Sequence, residues 1–281
     1  MGTRLGQHFL TSPRIAERIA KSADIQPNDT VLEIGPGTGI LTAELLKRAK
    51  RVIAVEKDTE LIEKLREKFD KNKNLVLIEA DIRDVLKKPR KFNTNVPSIK
   101  VVANIPYYLS GQLFRLLVSD RARPPSLIVL MVQKEVAERI ANRTRPSLIQ
   151  SKTNLLGLSI QPFMTARIAF RVSRGNFRPP PGVDSAVLVL ERRSRPLLIS
   201  GSPTSRYYFA LIKTAFGQKR KIALSVLKKG AFKGSPYLIP NPPTGGPWGS
   251  FLGKCKISKT ARAENISLEQ WLCLARQNLH K

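Results

Sequence analysis

The sequence predicts an α/β fold with a mostly parallel sheet, followed by a small helical region. Short apolar runs alternate with amphipathic helical patterns along most of the chain, which is typical of a parallel sheet covered by helices. The last quarter carries helical patterns without such runs. A chain of 281 residues is long enough for one large domain and a small one.

The predicted strands are apolar runs bounded by turn residues or charges. In chain order they cover residues 31–34, 52–55, 75–78, 100–103, 126–132, 155–162, 165–173 and 187–191. A helix is predicted over residues 12–22, before the first strand, and two more over 41–49 and 59–69, each between two successive strands. Ser12 is the expected N-cap of the first helix, with Pro13 at its first position.

Three glycines crowd the turn after the strand at 31–34, and a carboxylate closes the next strand. Gly35, Gly37 and Gly39 have no side chains, so a ligand can approach the backbone there and the chain can adopt positive φ. Glu56 follows about 20 residues later, where a carboxylate can accept the ribose hydroxyls of an adenosine. The pattern predicts a nucleotide-like cofactor at the ends of these two strands.

Two cofactor classes fit this geometry. A dinucleotide favours the spacing GxGxxG, whereas residues 35–39 read GPGTG and follow Glu33 on the strand. That spacing resembles the motif of S-adenosylmethionine (SAM)-dependent methyltransferases, and the cationic sulfonium of SAM favours an acidic residue beside the loop. A structural glycine turn in some other α/β domain is the remaining alternative.

Composition indicates a polyanionic partner. The chain has 49 Lys and Arg against 21 Asp and Glu, a net charge of +28, which points first to nucleic acid and second to a membrane surface. No apolar run reaches the ~18 residues needed to span a bilayer. Cys255 and Cys273 lack metal-ligand spacing, so we expect no metal and two reduced thiols in a cytoplasmic protein without a signal peptide.

The strand at 100–103 runs directly into Asn104, Ile105, Pro106 and Tyr107. Ligands bind outside the carboxyl ends of parallel strands, so Asn104 should share a cleft with the glycine turn. An exocyclic amine such as adenine N6 is a poor nucleophile, and the Asn104 oxygen with the Ile105 or Pro106 carbonyl can orient it without a general base. Tyr107 can stack on the base, worth roughly 1–3 kcal/mol. An ordinary strand-end turn with a core tyrosine is the alternative.

Nine phrases of the sequence resemble, in the same order, those of the ribosomal RNA adenine N6,N6-dimethyltransferases. They are GQHFL, EIGPGTGILT, VEKD, EADI, NIPY, QKEV, FRPPPGVDSAV, FGQKRK and ARAENIS. The resemblance covers nearly the full chain. It implies a Rossmann-like SAM methyltransferase domain with a mostly parallel seven-stranded sheet over residues 1–195, and a small helical, basic, RNA-contacting domain over 205–281.

The resemblance also implies two sets of site residues. The cofactor contacts are His8, Leu10, Gly35, Glu56, Asp81 and Asn104. The residues acting on the target base are Asn104, Pro106, Tyr107 and Phe177. Taken singly, Asp81 would be a helix or turn cap and Phe177 a core residue; within their motifs, Asp81 is expected at the adenine amine of SAM and Phe177 opposite Tyr107. Gly182 stands where the family usually has lysine, which puts any RNA contact of that side chain in doubt.

The implied activity is the dimethylation of adjacent adenines at N6 in small-subunit rRNA. The expected partner is this rRNA in an immature 30S-type ribosomal subunit, bound by a monomer with a role in ribosome biogenesis. Residues 205–281 hold 14 Lys and Arg against two Glu, which suits phosphate contact, although the Pro- and Gly-rich segment 230–253 departs from the family.

Two alternatives remain for the function. A large-subunit rRNA methylase of the macrolide-resistance type shares the catalytic half, and ARAENIS argues against it. A non-catalytic RNA-binding assembly factor could use the same fold, and the intact NIPY and Glu56 argue against that reading.

Overall fold

A computed structural model describes residues 8–88, 99–105, 110–119, 125–141, 152–228 and 248–277. They divide into two compact units. The first lies within Met1–Ala141 and Met164–Arg193, and the second within Asn142–Phe163 and Ser194–Lys281. The boundary predicted between residues 195 and 205 lies close to the last break, but the prediction kept residues 142–163 in the first unit.

A seven-stranded, mostly parallel sheet forms the centre of the first unit, as predicted. The described strands are β1 (Phe9–Leu10), β2 (Thr30–Ile34), β3 (Arg51–Glu56), β4 (Leu75–Glu79), β5 (Lys100–Asn104), β6 (Leu127–Gln133), β7 (Met164–Val172), β8 (Phe177–Arg178) and β9 (Ser185–Arg192). Their order in the sheet is β4-β3-β2-β5-β6-β9-β7, and β9 runs antiparallel to both of its neighbours. β1 and β8 form a separate antiparallel pair.

The register of the parallel strands aligns their carboxyl ends. Ile34 of β2 lies opposite Val55 of β3 on one side and Ala103 of β5 on the other. The central strands are almost entirely apolar and buried, as expected when helices cover both faces of a parallel sheet. The residues that follow these three strands therefore meet at one edge of the sheet.

In the described part of the first unit, three helices begin at side-chain caps, which Ser12, Asp58 and Asp81 provide. The helices of this unit are α1 (Pro13–Ser22), α2 (Ile40–Leu46), α3 (Thr59–Lys68), α4 (Ile82–Lys87), α5 (Ser110–Phe114) and α6 (Lys134–Ala141). The Ser12 hydroxyl accepts from the Ile15 amide with Pro13 at the first position, so the predicted start of α1 is confirmed. Glu135 and Arg139 form an ion pair on α6, at 3.4 Å.

One predicted strand is wrong. The sequence predicts a strand over 155–162, whereas Leu155–Ile160 forms a helix, α7, in the second unit. The Asn154 side chain caps it by accepting a 2.9 Å hydrogen bond from the Gly157 amide. A short apolar run does not distinguish a strand from a buried helix by periodicity alone, and the capping asparagine decides it here.

The second unit is helical. Besides α7 it contains α8 (Pro203–Gly217), α9 (Ala223–Lys228), α10 (Trp248–Lys254) and α11 (Leu268–Arg276). Tyr208 and Trp271 are fully buried, and the Tyr208 hydroxyl donates to the Leu158 carbonyl at 2.9 Å. A capping box of Ser267 and Gln270 opens α11.

The ARAENIS segment forms a tight turn that Thr153 holds. The Thr153 amide donates to the Glu264 carbonyl at 2.7 Å. Its hydroxyl lies 3.0–3.2 Å from the carbonyl oxygens of Ala263, Glu264 and Ile266. Thr153 therefore holds the main chain that leads into α11.

The two cysteines are paired, which corrects the expectation of reduced thiols. Cys255 and Cys273 form a disulfide with their Cα atoms 5.7 Å apart. Cys255 directly follows α10 and Cys273 lies within α11, and their separation of 18 residues in the sequence gave no sign of the pairing. The Pro- and Gly-rich stretch before residue 248 lies outside the described residues.

Within the described part of the chain, no helix combines the length and the apolar character needed to cross a membrane.

Candidate active site

The glycine turn after β2 is shaped by left-handed backbone and close packing. Gly37 has a φ of +58° and Gly39 a φ of +77°. A Cβ atom on Gly37 would lie 3.0 Å from the Phe9 ring, and one on Gly39 would lie 2.6 Å from the Phe69 ring. Both positions therefore need glycine for space as well as for conformation. The turn lies under β1 on one side and against α3 on the other.

Glu56, at the end of β3, joins the glycine turn to the next strand. Its Oε2 accepts a hydrogen bond from the Gly37 amide at 3.2 Å, and its Oε1 accepts from the amides of Lys57 and Asp58 at 2.8 and 3.1 Å. Only 6% of the residue is exposed. The structure thus brings Glu56 and the glycines together, as the sequence predicts.

Glu33, on β2, is a buried carboxylate at the same edge of the sheet. It is 1% exposed, and neither of its oxygens has a hydrogen-bond partner among the described residues. Burial raises the pKa of this carboxyl to about 8; the nearby Thr42 hydroxyl, which faces it outside hydrogen-bond geometry, offsets part of the rise, and the charge of Glu56 adds to it. Sequence reasoning noted Glu33 beside the turn but did not include it among the site residues. An acidic residue inside an apolar strand was the signal.

Two motifs far apart in the sequence meet at the small sheet formed by β1 and β8. Leu10 pairs with Phe177 and Phe9 with Arg178. The Thr11 amide and hydroxyl both donate to the Asn176 carbonyl, at 2.9 and 3.0 Å. GQHFL and FRPPPGVDSAV therefore form one structure beside the glycine turn.

Phe177 lies in the core rather than at the surface of the cleft. It is 1% exposed and belongs to the same buried cluster as Leu10 and Val187. In this conformation its ring offers no open face to a base. Its role in stacking stays a prediction that requires the ring to leave this packing.

Asn104 ends β5 and faces β1. Its Nδ2 donates to the main-chain carbonyl of His8 at 3.3 Å. The His8 ring is half-buried, and its Nδ1 lies 2.8 Å from the Pro179 carbonyl. Pro106 and Tyr107, which the sequence places next to Asn104, lie outside the described residues.

Asp81 follows β4 and is engaged locally. It caps α4 through the Arg83 amide, and its Oδ2 lies 2.6 Å from the Arg83 guanidinium and 3.5 Å from Lys57. The hydrogen bonds from Arg83 hold the pKa of this carboxyl well below its usual range. The cap interpretation made from the sequence is therefore confirmed. Asp81 does not line the cavity described next, and its contact with the cofactor stays a prediction.

One cavity connects these strand ends. It encloses about 750 Å³ of space, the open solvent at its mouth included. Its walls are His8, Phe9, Leu10, Glu33, Gly35, Pro36, Gly37, Thr38, Ile40, Leu41, Glu56, Asn104 and Ile105. Five of the six predicted cofactor residues line this cavity, and Asp81 is the exception. Phe9, Glu33 and Thr38 are wall residues that sequence reasoning did not select.

The sequence of this chain is similar to those of named rRNA methyltransferases. A protein of Dehalococcoides mccartyi named ribosomal RNA small subunit methyltransferase A is 39% identical over 273 residues, covering 96% of this chain and 86% of the relative. A protein of the same name from Lactococcus lactis is 37% identical, covering 97% of this chain and 88% of that relative.

Solved structures give the same result for the fold. The crystal structure of the 23S rRNA methyltransferase ErmE matches with a TM-score of 0.69 and 25% identity, covering 97% of this chain and all of that one. A dimethyladenosine transferase from Plasmodium falciparum matches with a TM-score of 0.68 and 26% identity, covering 95% and 96%. A model of the family described as ribosomal RNA adenine dimethylase matches residues 1–234. The chain therefore belongs to the ribosomal RNA adenine dimethylase family.

Proposed function

We propose that this protein transfers methyl groups from SAM to N6 of adjacent adenines in small-subunit rRNA, two to each adenine. One observation carries the proposal: a single cavity joins the glycine turn and Glu56 to Asn104. It offers a cofactor site and an amide acceptor at neighbouring strand ends. Family membership and the names of the relatives support the same activity.

The residues of the cavity fit a cationic, adenosine-bearing cofactor. The buried Glu33 carboxylate has no partner among the described residues, and a positively charged group beside it would compensate for its burial. Glu56 keeps acceptor capacity for a ribose hydroxyl at Oε2, which accepts only the Gly37 amide, whereas Oε1 already accepts two amides. Bound SAM would supply an electrophilic methyl group here.

The other cofactor contacts follow from the walls of the cavity and their neighbours. We assign His8, Leu10 and Gly35 to covering the cofactor, since all three line the cavity. We assign Asp81 to its adenine amine, as an acceptor that holds its charge beside Arg83. Removing the Asp81 carboxylate should lower cofactor affinity before it affects transfer at saturation.

Asn104 acts on the target base. With its Nδ2 bound to the His8 carbonyl, its Oδ1 is the atom left to accept a hydrogen from adenine N6. A main-chain carbonyl at Ile105 or Pro106 accepts the second hydrogen, and the lone pair of N6 is directed at the methyl donor. Positioning and fixed dipoles lower the barrier, so no strong base is required. Tyr107 stacks on the base, and Phe177 joins it where its ring can move.

Charge supports the rRNA partner. A net charge of +28 suits binding to the phosphates of an immature small ribosomal subunit, and we propose that the protein works there as a cytoplasmic monomer.

The experiment is labelled methyl transfer to small ribosomal subunits that lack the modification, followed by mapping of the methylated adenines. Dimethylation of adjacent adenines in small-subunit rRNA supports the proposal. Methylation of large-subunit rRNA instead would indicate the macrolide-resistance activity. No incorporation into either subunit would indicate a non-catalytic assembly factor.

A further inference from the structure

Three segments that are distant in the sequence meet at His8. Its ring nitrogen Nδ1 lies 2.8 Å from the Pro179 carbonyl, and its own carbonyl accepts the Nδ2–H of Asn104 at 3.3 Å. Because a carbonyl only accepts, the imidazole proton must be on Nδ1. His8 is therefore hydrogen-bonded to the segment after β8 through its side chain and to the end of β5 through its backbone.

The bond to the His8 carbonyl decides which way the Asn104 amide faces. With Nδ2 donating to this carbonyl, Oδ1 is directed away from it. The reversed amide would set two oxygen acceptors against each other, which costs free energy. The position of the His8 backbone thus selects the atom that Asn104 presents to a target amine.

The segment that His8 contacts is itself fixed at its ends. The Asp184 side chain accepts from the Arg174 amide, and the Asp184 carbonyl accepts from the Lys134 amide, both at 3.0 Å. The Asn176 carbonyl accepts two bonds from Thr11. These bonds hold the segment that contains Pro179 in place. The hydrogen bond from His8 to Pro179 therefore fixes the position of β1 relative to the end of β5.

We propose that the His8 side chain is a positioning residue for methyl transfer, in addition to covering the cofactor. Its bond to Pro179 fixes β1, so that the His8 carbonyl holds the Asn104 amide with Oδ1 toward the target N6. The inference rests on the proposed function, because it assigns His8 a role in that same reaction. It concerns the rate of transfer with the cofactor already bound.

Two substitutions at His8 test this proposal. His8→Ala removes the donor, whereas His8→Asn keeps an amide N–H at the same branch of the side chain as Nδ1. Thr11→Val is the matched control, because it removes a different hydrogen bond between the same two segments, that of the Thr11 hydroxyl to Asn176. The measurements are the dissociation constant for SAM by calorimetry and the single-turnover rate of methyl transfer to unmethylated small subunits at saturating SAM.

The proposal predicts a loss in rate rather than in cofactor affinity. His8→Ala should slow transfer about tenfold at saturating SAM, since small misplacements of a reacting group are costly, while its affinity for SAM changes less than about threefold. His8→Asn should restore most of the rate, and Thr11→Val should match the wild type. If His8→Ala does not fold, His8→Leu supplies apolar bulk without a donor and is compared with His8→Asn in its place.

Two results would overturn this inference and leave the proposed function intact. The first is a rate at saturating SAM that His8→Ala leaves unchanged, with or without a loss of affinity, because His8 would then act only on the cofactor. The second is an equal loss of rate in His8→Asn and His8→Ala, because the donor would then be irrelevant. No transfer by the wild type would instead overturn the proposed function, and the inference with it.

Discussion

The Gly37 amide donates a hydrogen bond to the Glu56 carboxylate at 3.2 Å, and this bond joins the turn after β2 to the end of β3. The bond holds the carboxylate at the edge of the cavity rather than letting it turn to solvent. A cofactor that places its ribose here meets an acceptor already fixed in position. Such preorganisation lowers the entropic cost of binding.

Glu56→Gln should weaken the binding of SAM about tenfold or more, because hydrogen bonds to a charged group contribute roughly 1.5–3 kcal/mol. Calorimetric titration with SAM measures the effect. Glu63→Gln is the matched control, since Glu63 is an exposed carboxylate on α3. Equal affinities for SAM in the wild type and Glu56→Gln would contradict the assignment of Glu56 to the ribose.

Glu33→Gln should stabilise the protein without SAM, and more so at pH 8 than at pH 5. The carboxyl ionises near 4.5 when unfolded and near 8 when folded. Well below pH 4.5 the carboxyl is protonated in both states. As the pH rises from 4.5 to 8, the unfolded state releases its proton while the folded state keeps it, so this group progressively favours unfolding. Glutamine does not titrate, and its advantage should grow by roughly 3–4 kcal/mol between pH 5 and pH 8, because each pKa unit corresponds to about 1.4 kcal/mol.

Urea denaturation of both proteins at the two pH values measures the effect of Glu33. The same substitution should weaken SAM binding, because a carboxylate facing a cation is lost. A stability difference between the two proteins that is the same at pH 5 and pH 8 would show that Glu33 does not titrate in this range.

The main site residues used in these predictions could be identified from the sequence, because each is marked by its immediate neighbours in the chain. The glycine turn, Glu56 and Asn104 each follow a strand directly, so the rule that parallel strands end at one edge was enough to group them. The caps of α1 and α11 each join residues three positions apart, so such caps can be read from the local sequence.

What the sequence did not show depends on contacts between distant segments. The pairing of β1 with β8 joins residues such as Leu10 and Phe177, and it buries the ring that the motif suggested for stacking. The disulfide of Cys255 and Cys273 depends on how the chain that follows α10 meets α11. The absence of a partner for Glu33 among the described residues can be known only when its surroundings are known.

Gly39→Ala should destabilise the first unit by about 2 kcal/mol, because the residue adopts a left-handed conformation and a Cβ atom would lie 2.6 Å from the Phe69 ring. Gly111→Ala is the control: it lies in α5 with open space around the added atom, so it should be neutral or slightly stabilising. Thermal unfolding of the two variants measures both effects. A Gly39→Ala variant as stable as the wild type would contradict the close packing of this turn.

Binding of the protein to small-subunit rRNA should weaken steeply with salt. Log K should fall by about 0.7 per phosphate neutralised on single-stranded RNA for each unit of log salt concentration. Replacing Lys219, Arg220 and Lys221, which are all exposed, by alanine should reduce that slope by about 2 if each contacts a phosphate. Filter binding over a salt series measures it, with Lys71 and Lys73, exposed in the first unit, replaced as the control. An unchanged slope in the triple variant would exclude these three side chains from the RNA contact.

The most direct measurement for the whole account is the single-turnover rate of methyl transfer by Asn104→Ala at saturating SAM, on small subunits that lack the modification. Loss of the amide that orients the target amine should slow transfer about 100-fold, as removal of one preorganised contact does in other active sites. The loss of affinity for SAM should be much smaller. Transfer by Asn104→Ala at the wild-type rate would contradict the claim that the end of β5 presents the adenine to the cofactor.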